Sequence, residues 1–202
     1  MITLGVHGFM GSGKSYICRI LTVLHDIPVF NCDMEVKKIV NDDTDYLRNS
    51  LVQLCGHGCY IGLKWNPIHI AELAKKDRTI LDKIGAIIEP YLIAEIDRFK
   101  LLHKNLPLCV IESALFGKSE ALLNTVDKIV LINAPLDIRI KRIMARDPRR
   151  GSDEIITLLY NQIAPSIDID YVIENGDDSL DSDVEGEVQK MVDDLMTYVK
   201  RS

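Results

Sequence analysis

The sequence is poor in several features that mark particular classes of protein. Its 202 residues include only five cysteines, too few and too scattered for a disulfide-stabilised secreted scaffold, and an odd number leaves at least one unpaired. No apolar run approaches the roughly 18 residues that a membrane-spanning helix requires. The first apolar run leads into a polar, glycine-rich segment, so we expect no secretory signal. These absences favour reduced thiols and a cytoplasmic location.

Excess positive charge is also missing. The chain has 24 Lys and Arg against 30 Asp and Glu, for a formal net charge of -6. Because proteins that bind nucleic acid usually present a basic face to the phosphate backbone, we expect no nucleic-acid partner. The hydrophobic content of 47% is enough to form a buried core without metals or disulfides.

Short apolar segments alternate with helical patterns along the chain. Strands are predicted at residues 2–7, 27–30, 108–111, 128–132 and 171–173. Helices are predicted at residues 15–24, 33–40, 135–146, 152–162 and 184–199. This alternation predicts an α/β fold with a doubly wound, mostly parallel sheet.

The stretch from Thr44 to Phe99 departs from that alternation because its pattern is mostly helical and shows no obvious strand. We therefore expect residues 1–43 and 106–202 to form the core. Residues 44–105 are expected to form a helical insertion.

The strongest motif lies between the first predicted strand and the first predicted helix. Residues 8–15 read Gly-Phe-Met-Gly-Ser-Gly-Lys-Ser and match G-x-x-x-x-G-K-[ST] in full. Glycines let the backbone curl so that its N–H groups point at phosphate oxygens, and the helix that follows adds the positive end of its dipole. Lys14 is expected to reach the β and γ phosphates in a catalytic role, and Ser15 to bind Mg²⁺. The predicted nucleotide-binding residues are Gly8, Gly11, Ser12, Gly13, Lys14, Ser15 and Tyr16.

Two further patterns have both a functional and a structural interpretation. Asp33 follows the second predicted strand, where it could orient an acceptor hydroxyl or simply cap a helix. Arg139, Arg142 and Arg146 share one helix face and could close over phosphates as part of a lid at about residues 139–165, or form a solvated basic face. A guanine-reading motif is disfavoured because residues 124–127 lack its Lys and precede their strand.

In their order along the chain these segments resemble the dephospho-CoA kinase family. The resemblance rests on residues 5–15, on 27–33, on 142–147 followed by Gln162, and on 170–176. It implies a fold of P-loop kinase type whose helical insertion binds the acceptor, with ATP and Mg²⁺ as cofactors. It also implies transfer of phosphate to the ribose 3′-hydroxyl of dephospho-CoA, the last step of CoA biosynthesis, by a monomer or weak homo-oligomer.

The same resemblance implies roles for individual residues. Asp33 would be the catalytic base and would help to organise Mg²⁺. Arg142 and Arg146 would contact the ATP phosphates. Asn175 would lie in the adenine-side loop.

The acceptor half matches that family less well than the phosphate-donor half. Glu89 and Pro90 stand where the family has His-Pro, and Tyr16 stands where it usually has Thr. Two alternatives therefore stay open: a kinase for another nucleoside or small metabolite, and a non-catalytic ATP-binding switch.

Two features of the insertion have both a functional and a structural interpretation. Cys55, His57 and Cys59, with His69 nearby, lack the second ligand pair of a typical zinc site, so a glycine-rich turn is expected there. Trp65 is the only tryptophan, and could either line an acceptor pocket or pack within the insertion.

Overall fold

The computed structural model describes residues 1–42, 45–148, 155, 159, 167–176 and 181–201. It divides the chain into two compact units, the first formed by residues 1–31 and 99–202 and the second by residues 32–98. Most of the helix predicted at 152–162, and the lid beyond residue 148, lie outside the described residues. Ile155 and Leu159 of that helix are described, and both are helical.

Helices and strands follow one another along both units. In chain order they are β1 (Ile2–His7), α1 (Lys14–His25), β2 (Val29–Asn31), α2 (Cys32–Asn41), α3 (Asp45–Cys55), β3 (Tyr60–Ile61), β4 (Lys64–Trp65), α4 (Pro67–Lys76), α5 (Ile80–Leu102), β5 (Leu108–Glu112), α6 (Glu120–Leu123), β6 (Lys128–Asn133), α7 (Leu136–Arg146), β7 (Tyr171–Glu174) and α8 (Asp181–Arg201). None of the helices within the described ranges is long and apolar enough to cross a lipid bilayer.

The first unit is built on a five-stranded sheet in the order β2-β5-β1-β6-β7, and every neighbouring pair of strands is parallel. β1 lies at the centre, and the direction in which strands are added reverses across it. In open α/β sheets ligands bind beside the carboxyl ends of the strands at such a reversal. The predicted phosphate loop leaves β1 at this end of the sheet.

One face of this sheet is covered by the first and last helices. Leu4 and Val6 of β1 are fully buried and belong to one cluster with Leu21 of α1 and Val188 and Leu195 of α8. The strands read as nearly continuous apolar runs because strands of a covered parallel sheet are buried on both faces. The predicted doubly wound α/β fold is confirmed.

The second unit is mainly helical. In α5 the residues at every fourth position from Ile80 to Ile96 are buried, which is the spacing of one helix face. The expectation of no strand in this region is wrong, because Tyr60 in β3 pairs with Trp65 in β4 across a turn that contains Gly62. The two rings lie 5.2 Å apart, and such aromatic cross-strand pairs stabilise ribbons too short to show an alternating pattern.

Helix α2 begins earlier than the sequence indicated. It starts at Cys32, directly after the last residue of β2, so Asp33 lies within its first turn rather than at the capping position before it. Shifts of one or two residues are common at helix ends, since the chain can enter a helix from a strand without a loop.

Candidate active site

The loop between β1 and α1 is a tight turn fixed by its own backbone. The Ser12 N–H donates to the Phe9 carbonyl at 3.2 Å, and the Tyr16 N–H donates to the Gly13 carbonyl at 2.9 Å as the helix begins. α1 starts at Lys14 with Gly13 before it in a left-handed conformation, at φ 96°. The amino end of a 12-residue helix and its loop amides favour an anion here.

Lys14 lies along this loop. Its ammonium group donates to the carbonyl oxygens of Gly8 at 2.8 Å and Phe9 at 3.3 Å. A lysine in this position supplies positive charge at the mouth of the loop. The same charge can be shared with the β and γ phosphates of a bound nucleotide.

Beside the loop, Ser15 faces a carboxylate that the sequence analysis did not identify. The Ser15 hydroxyl donates to Glu112 Oε1 at 3.0 Å, and the Asn31 amide donates to Glu112 Oε2 at 2.5 Å. Glu112 is buried, with 7% of its surface exposed, at the carboxyl end of β5. The sequence does contain a pattern that could have identified Glu112. Four apolar residues of β5 are followed directly by this acid, which places a carboxylate at the carboxyl end of a buried parallel strand, on the side of the sheet where the loop lies.

Cys18 lies one helical turn beyond Ser15 and also contacts this carboxylate. Burial raises the pKa of the Cys18 thiol, and the charge of Glu112 and a hydrogen bond to it raise the pKa further. The thiol therefore stays protonated and can donate to Glu112, which makes it a third donor to the carboxylate beside Ser15 and Asn31.

The Ser15 hydroxyl and the Glu112 carboxylate are oxygen groups of the kind that Mg²⁺ prefers. Mg²⁺ usually takes one or two protein oxygens and completes its octahedron with water and substrate phosphates. Among the described residues no three His, Cys, Asp or Glu side chains form a cluster that could hold a metal ion by themselves. The donor set thus fits a cation that is held together with a nucleotide, not a structural metal.

The far side of the loop is held by Asn175 and Arg142. The Asn175 amide donates to the Ser12 carbonyl at 2.9 Å, and its own backbone carbonyl accepts from Arg142 Nη1 at 2.9 Å. The same Arg142 nitrogen lies 3.5 Å from the carbonyl oxygens of Gly11 and Ser12. Asn175 is only 5% exposed, and its carboxamide hydrogen-bonds to the loop, so the side chain positions the loop. Its predicted role toward adenine is not tested by these contacts.

Arg139 lies one helical turn before Arg142 in α7 and also contacts the loop. Its Nε donates to the Met10 carbonyl at 3.0 Å, and its guanidinium lies 4.8 Å from the centre of the Phe9 ring. Burial lowers the pKa of Arg139, but a guanidinium remains charged at neutral pH. Arg146 is the last residue of α7 and is exposed. Two of the three predicted lid arginines therefore contact the phosphate loop.

The remaining predicted residues differ in their surroundings. Tyr16 packs partly against the apolar cluster under the sheet, with the Arg19 guanidinium 5.5 Å from its ring centre. Asp33 belongs to the second unit and is exposed in the first turn of α2. In the same unit a His69 ring nitrogen lies 2.9 Å from the Cys55 carbonyl oxygen, within the expected glycine-rich turn.

Comparisons with known proteins agree with this geometry. Residues 2–181 match the family model described as dephospho-CoA kinase. The chain is 32% identical over 163 residues to a dephospho-CoA kinase of Bacteroides fragilis, covering 81% of this chain and 78% of that protein. It is 33% identical over 147 residues to the enzyme of Porphyromonas gingivalis, covering 73% and 71%. The solved dephospho-CoA kinase of Campylobacter jejuni has the same fold, with a TM-score of 0.68 at 20% identity over 96% of this chain and 97% of that one.

Proposed function

Because the chain belongs to the dephospho-CoA kinase family, we propose that it transfers the γ phosphoryl group of ATP to the ribose 3′-hydroxyl of dephospho-CoA. The products are CoA and ADP. The observation that carries the proposal within the structure is the pair formed by Ser15 and Glu112, 3.0 Å apart beside the P-loop at the strand reversal.

The triphosphate is bound by the loop of residues 8–13 and by the amino end of α1. Lys14 exchanges its contacts with the loop carbonyls for the β and γ phosphates. Ser15 and Glu112 would hold Mg²⁺, which when bound neutralises charge on the β and γ phosphate oxygens. Arg142 and Arg146 extend from α7 to stabilise the transferred group, with Arg142 already within 3.5 Å of loop carbonyls.

Asp33 is the proposed general base and an additional, water-mediated contributor to the Mg²⁺ site. It follows the carboxyl end of β2 by two residues and is exposed, so it is accessible to an acceptor. As the 3′-oxygen forms its bond to the γ phosphorus, the bond from that phosphorus to the β-γ bridging oxygen breaks and ADP leaves. The hydroxyl proton passes to the Asp33 carboxylate.

The setting of the reaction follows from the same proposal. The acceptor and donor are small molecules, and the net charge of -6 supports a role without nucleic acid. We place the protein in the cytoplasm as a monomer or weak homo-oligomer.

Two predicted nucleotide-binding residues act indirectly. Asn175 supports ATP binding by holding the Ser12 carbonyl of the loop in place. Tyr16 supports it by packing the first turn of α1 against the apolar cluster.

A direct assay tests the acceptor. Protein, Mg²⁺, ATP and dephospho-CoA are mixed, and CoA is measured by chromatography. We expect CoA and ADP in equal amounts. ATP binding without CoA formation would contradict the acceptor assignment, and a panel of nucleosides and small hydroxyl compounds would then separate another kinase from an ATP-binding switch.

Asp33→Asn tests the base. We expect turnover to fall about a hundred- to ten-thousandfold, because the group that accepts the hydroxyl proton is lost. ATP affinity should change less than about twofold, because the loop, Lys14, Ser15 and Glu112 still hold the phosphates and Mg²⁺ and the contribution of Asp33 to the metal is only through water. The matched control is Asp45→Asn, since Asp45 is also an exposed acid in the first turn of a helix of the second unit. Equal turnover in the two variants would remove Asp33 from this role.

A further inference from the structure

The outer edge of the five-stranded sheet carries a groove that takes no part in the phosphoryl transfer proposed above. β7 is the last strand of the sheet, and among the described residues no strand lies along its other side. A groove of about 540 Å³ runs between β7 and α8 and is here called the edge groove. Three residues of β7 and six of α8 line it.

The backbone of β7 directs hydrogen-bonding groups away from the sheet. The Asn175 N–H, directly after the last residue of β7, donates to the Asn133 carbonyl of β6 at 2.8 Å. Successive residues of a strand turn their N–H and C=O groups to opposite sides, so the residues at alternate positions before Asn175 face β6 as well. The N–H and C=O groups of Val172 and Glu174 therefore face outward, where a further strand could pair with them.

The sequence of β7 does not block an added strand. Edge strands are commonly protected by proline, by charged side chains that point inward or by bulges. β7 reads Tyr-Val-Ile-Glu, without proline or lysine, and its four residues pair in continuous register with β6. The apolar side chain of Val172 is 54% exposed, and pairing with another strand would cover it.

Helix α8 forms the second wall of the edge groove. Glu187, Lys190, Met191 and Asp194 lie on one face of this helix, because they are three or four residues apart. Met191 is 4% exposed and the three charged residues are exposed. The Tyr171 hydroxyl donates to Asp194 Oδ2 at 2.5 Å, which ties the helix to the strand. Walls that are joined before binding lose little conformational entropy when a ligand arrives.

Charge indicates which kind of strand fits this edge. Glu187, Asp193 and Asp194 place three carboxylates in the lining against the single ammonium group of Lys190. Glu174, at the end of β7, is exposed and adds another carboxylate. A strand with basic side chains would pair with these groups, and an acidic strand would be repelled. A second copy of this chain is disfavoured, because it would bring the same acidic lining and a formal net charge of -6.

We propose that β7 is a docking edge for a partner protein, which adds an extended basic segment to the sheet as a sixth strand. The backbone of the segment pairs with the outward groups of Val172 and Glu174. Alternate side chains of the segment point toward α8, where Lys or Arg pairs with Glu187 and Asp193, and the others lie beside Val172 on the opposite face of the sheet. The assignment is independent of the acceptor of the kinase reaction.

A designed peptide tests this edge. The probe is a short, capped, fluorescently labelled peptide of alternating Lys and Val, and anisotropy measures its binding to the whole protein. We expect saturable binding that weakens as the salt concentration rises, because salt screens exposed charges. Failure of this peptide to bind would overturn the proposal.

Two control peptides separate charge from strand addition. One has Glu in place of every Lys, and the other keeps the side chains but has every backbone nitrogen methylated, so that it cannot donate to a strand. Both should bind at least about tenfold more weakly than the probe. If the methylated peptide binds as well as the probe, the contact is electrostatic only and the proposal is wrong.

Hydrogen exchange locates the bound peptide. The N–H groups of Val172 and Glu174 should exchange at least about tenfold more slowly when the Lys-Val peptide is present, because pairing protects them from solvent. Binding that leaves the exchange of both groups unchanged would place the peptide elsewhere and contradict the docking edge.

Matched variants test the two walls. Val172→Pro removes an outward N–H but no hydrogen bond to β6, a substitution that edge strands tolerate, and should weaken peptide binding at least about tenfold. Glu187→Lys reverses a charge of the groove and should also weaken binding. Glu185→Lys is its control, because Glu185 is exposed on α8 but does not line the groove. Melting curves verify that each variant is folded, and equal affinities in the two lysine variants would overturn the proposal.

Sedimentation of the protein alone tests the other occupant of the edge. A monomer at all concentrations would support docking of a different protein. A dimer that forms with increasing concentration and is abolished by Val172→Pro would assign the edge to a second copy of this chain, and the proposed basic partner would be wrong.

Discussion

The unit that carries the P-loop and the unit of residues 32–98 bury different kinds of side chain. All eight buried polar or charged residues among the described ones belong to the first unit, including His7, Ser12, Glu112, Arg139 and Asn175. The buried residues described in the second unit are all apolar. A buried polar group that has a hydrogen-bond partner fixes local geometry, as Glu112, Arg139 and Asn175 do beside the loop. Hydrogen bonds of buried polar side chains therefore hold the donor side in place, whereas apolar packing holds the described interior of the second unit.

The comparison is tested most severely at Glu112. Glu112→Gln keeps the size of the side chain but removes the charge that faces Ser15, so kcat should fall about a hundredfold or more and the Mg²⁺ requirement should rise. Turnover and the Mg²⁺ dependence of ATP binding are the measurements. Glu72→Gln, at an exposed acid of the second unit, is the control and should match the wild type.

A kcat for Glu112→Gln within about threefold of the control would contradict a catalytic role for this buried carboxylate. The loss of one preorganised charge contact should lower kcat by much more than that. The buried carboxylate would then serve the fold and not the reaction.

The sequence predicted the first unit better than the second, and the reason is physical. The glycine loop, the apolar strands and the strand–helix alternation are local patterns, and the α/β fold and the family membership that they predicted are confirmed. Glu112 was missed because its partners Ser15 and Asn31 lie 97 and 81 residues away along the chain. Only the parallel pairing of β5 with β1 and β2 brings these three together.

The second unit gave a weaker signal for a different reason. β3 and β4 have two residues each, which is too short to show the alternation of apolar and polar residues that predicts a strand. For Trp65 the sequence does not distinguish a pocket from packing, because both need a partly buried aromatic ring. In the structure Trp65 contacts Tyr60 and also lines a groove.

Two glycines with similar backbones sharpen the comparison. Gly13 has φ 96° and Gly56 has φ 78°, so alanine strains both backbones, by about 1 kcal/mol. A Cβ on Gly13 would lie 2.0 Å from the Asn175 amide nitrogen, whereas a Cβ on Gly56 would have no described neighbour within 4 Å. Gly13→Ala must therefore displace Asn175 from Ser12.

We expect Gly13→Ala to weaken ATP binding at least about tenfold, or about 1.4 kcal/mol, and Gly56→Ala to leave the dissociation constant unchanged. Calorimetric titration well below the melting temperature separates this effect from global unfolding. Equal ATP affinities in the two variants would mean that the loop does not depend on its contact with Asn175.

The smallest expected effect concerns His7, at the end of β1. His7 is 3% exposed, and its Nδ1 lies 3.2 Å from the Ser113 carbonyl oxygen. Burial lowers the pKa of His7 from its usual 6.5, and the charge of Lys14 lowers it too, against the opposing effect of the Ser113 contact. The unfolded chain therefore binds a proton below pH 6.5 that the folded chain does not.

Stability should consequently fall as the pH drops below 6.5, by at most about 1.4 kcal/mol per pH unit from this group, which is a few degrees of melting temperature for a chain of this size. His7→Gln should flatten the decline of melting temperature between pH 7 and pH 5, even if the variant melts lower throughout. His57→Gln, at an exposed histidine of the second unit, should keep the wild-type slope. If melting temperature falls with pH equally in the two variants, the buried His7 ring does not make the first unit sensitive to acid. Burial of this polar side chain would then have no consequence for stability.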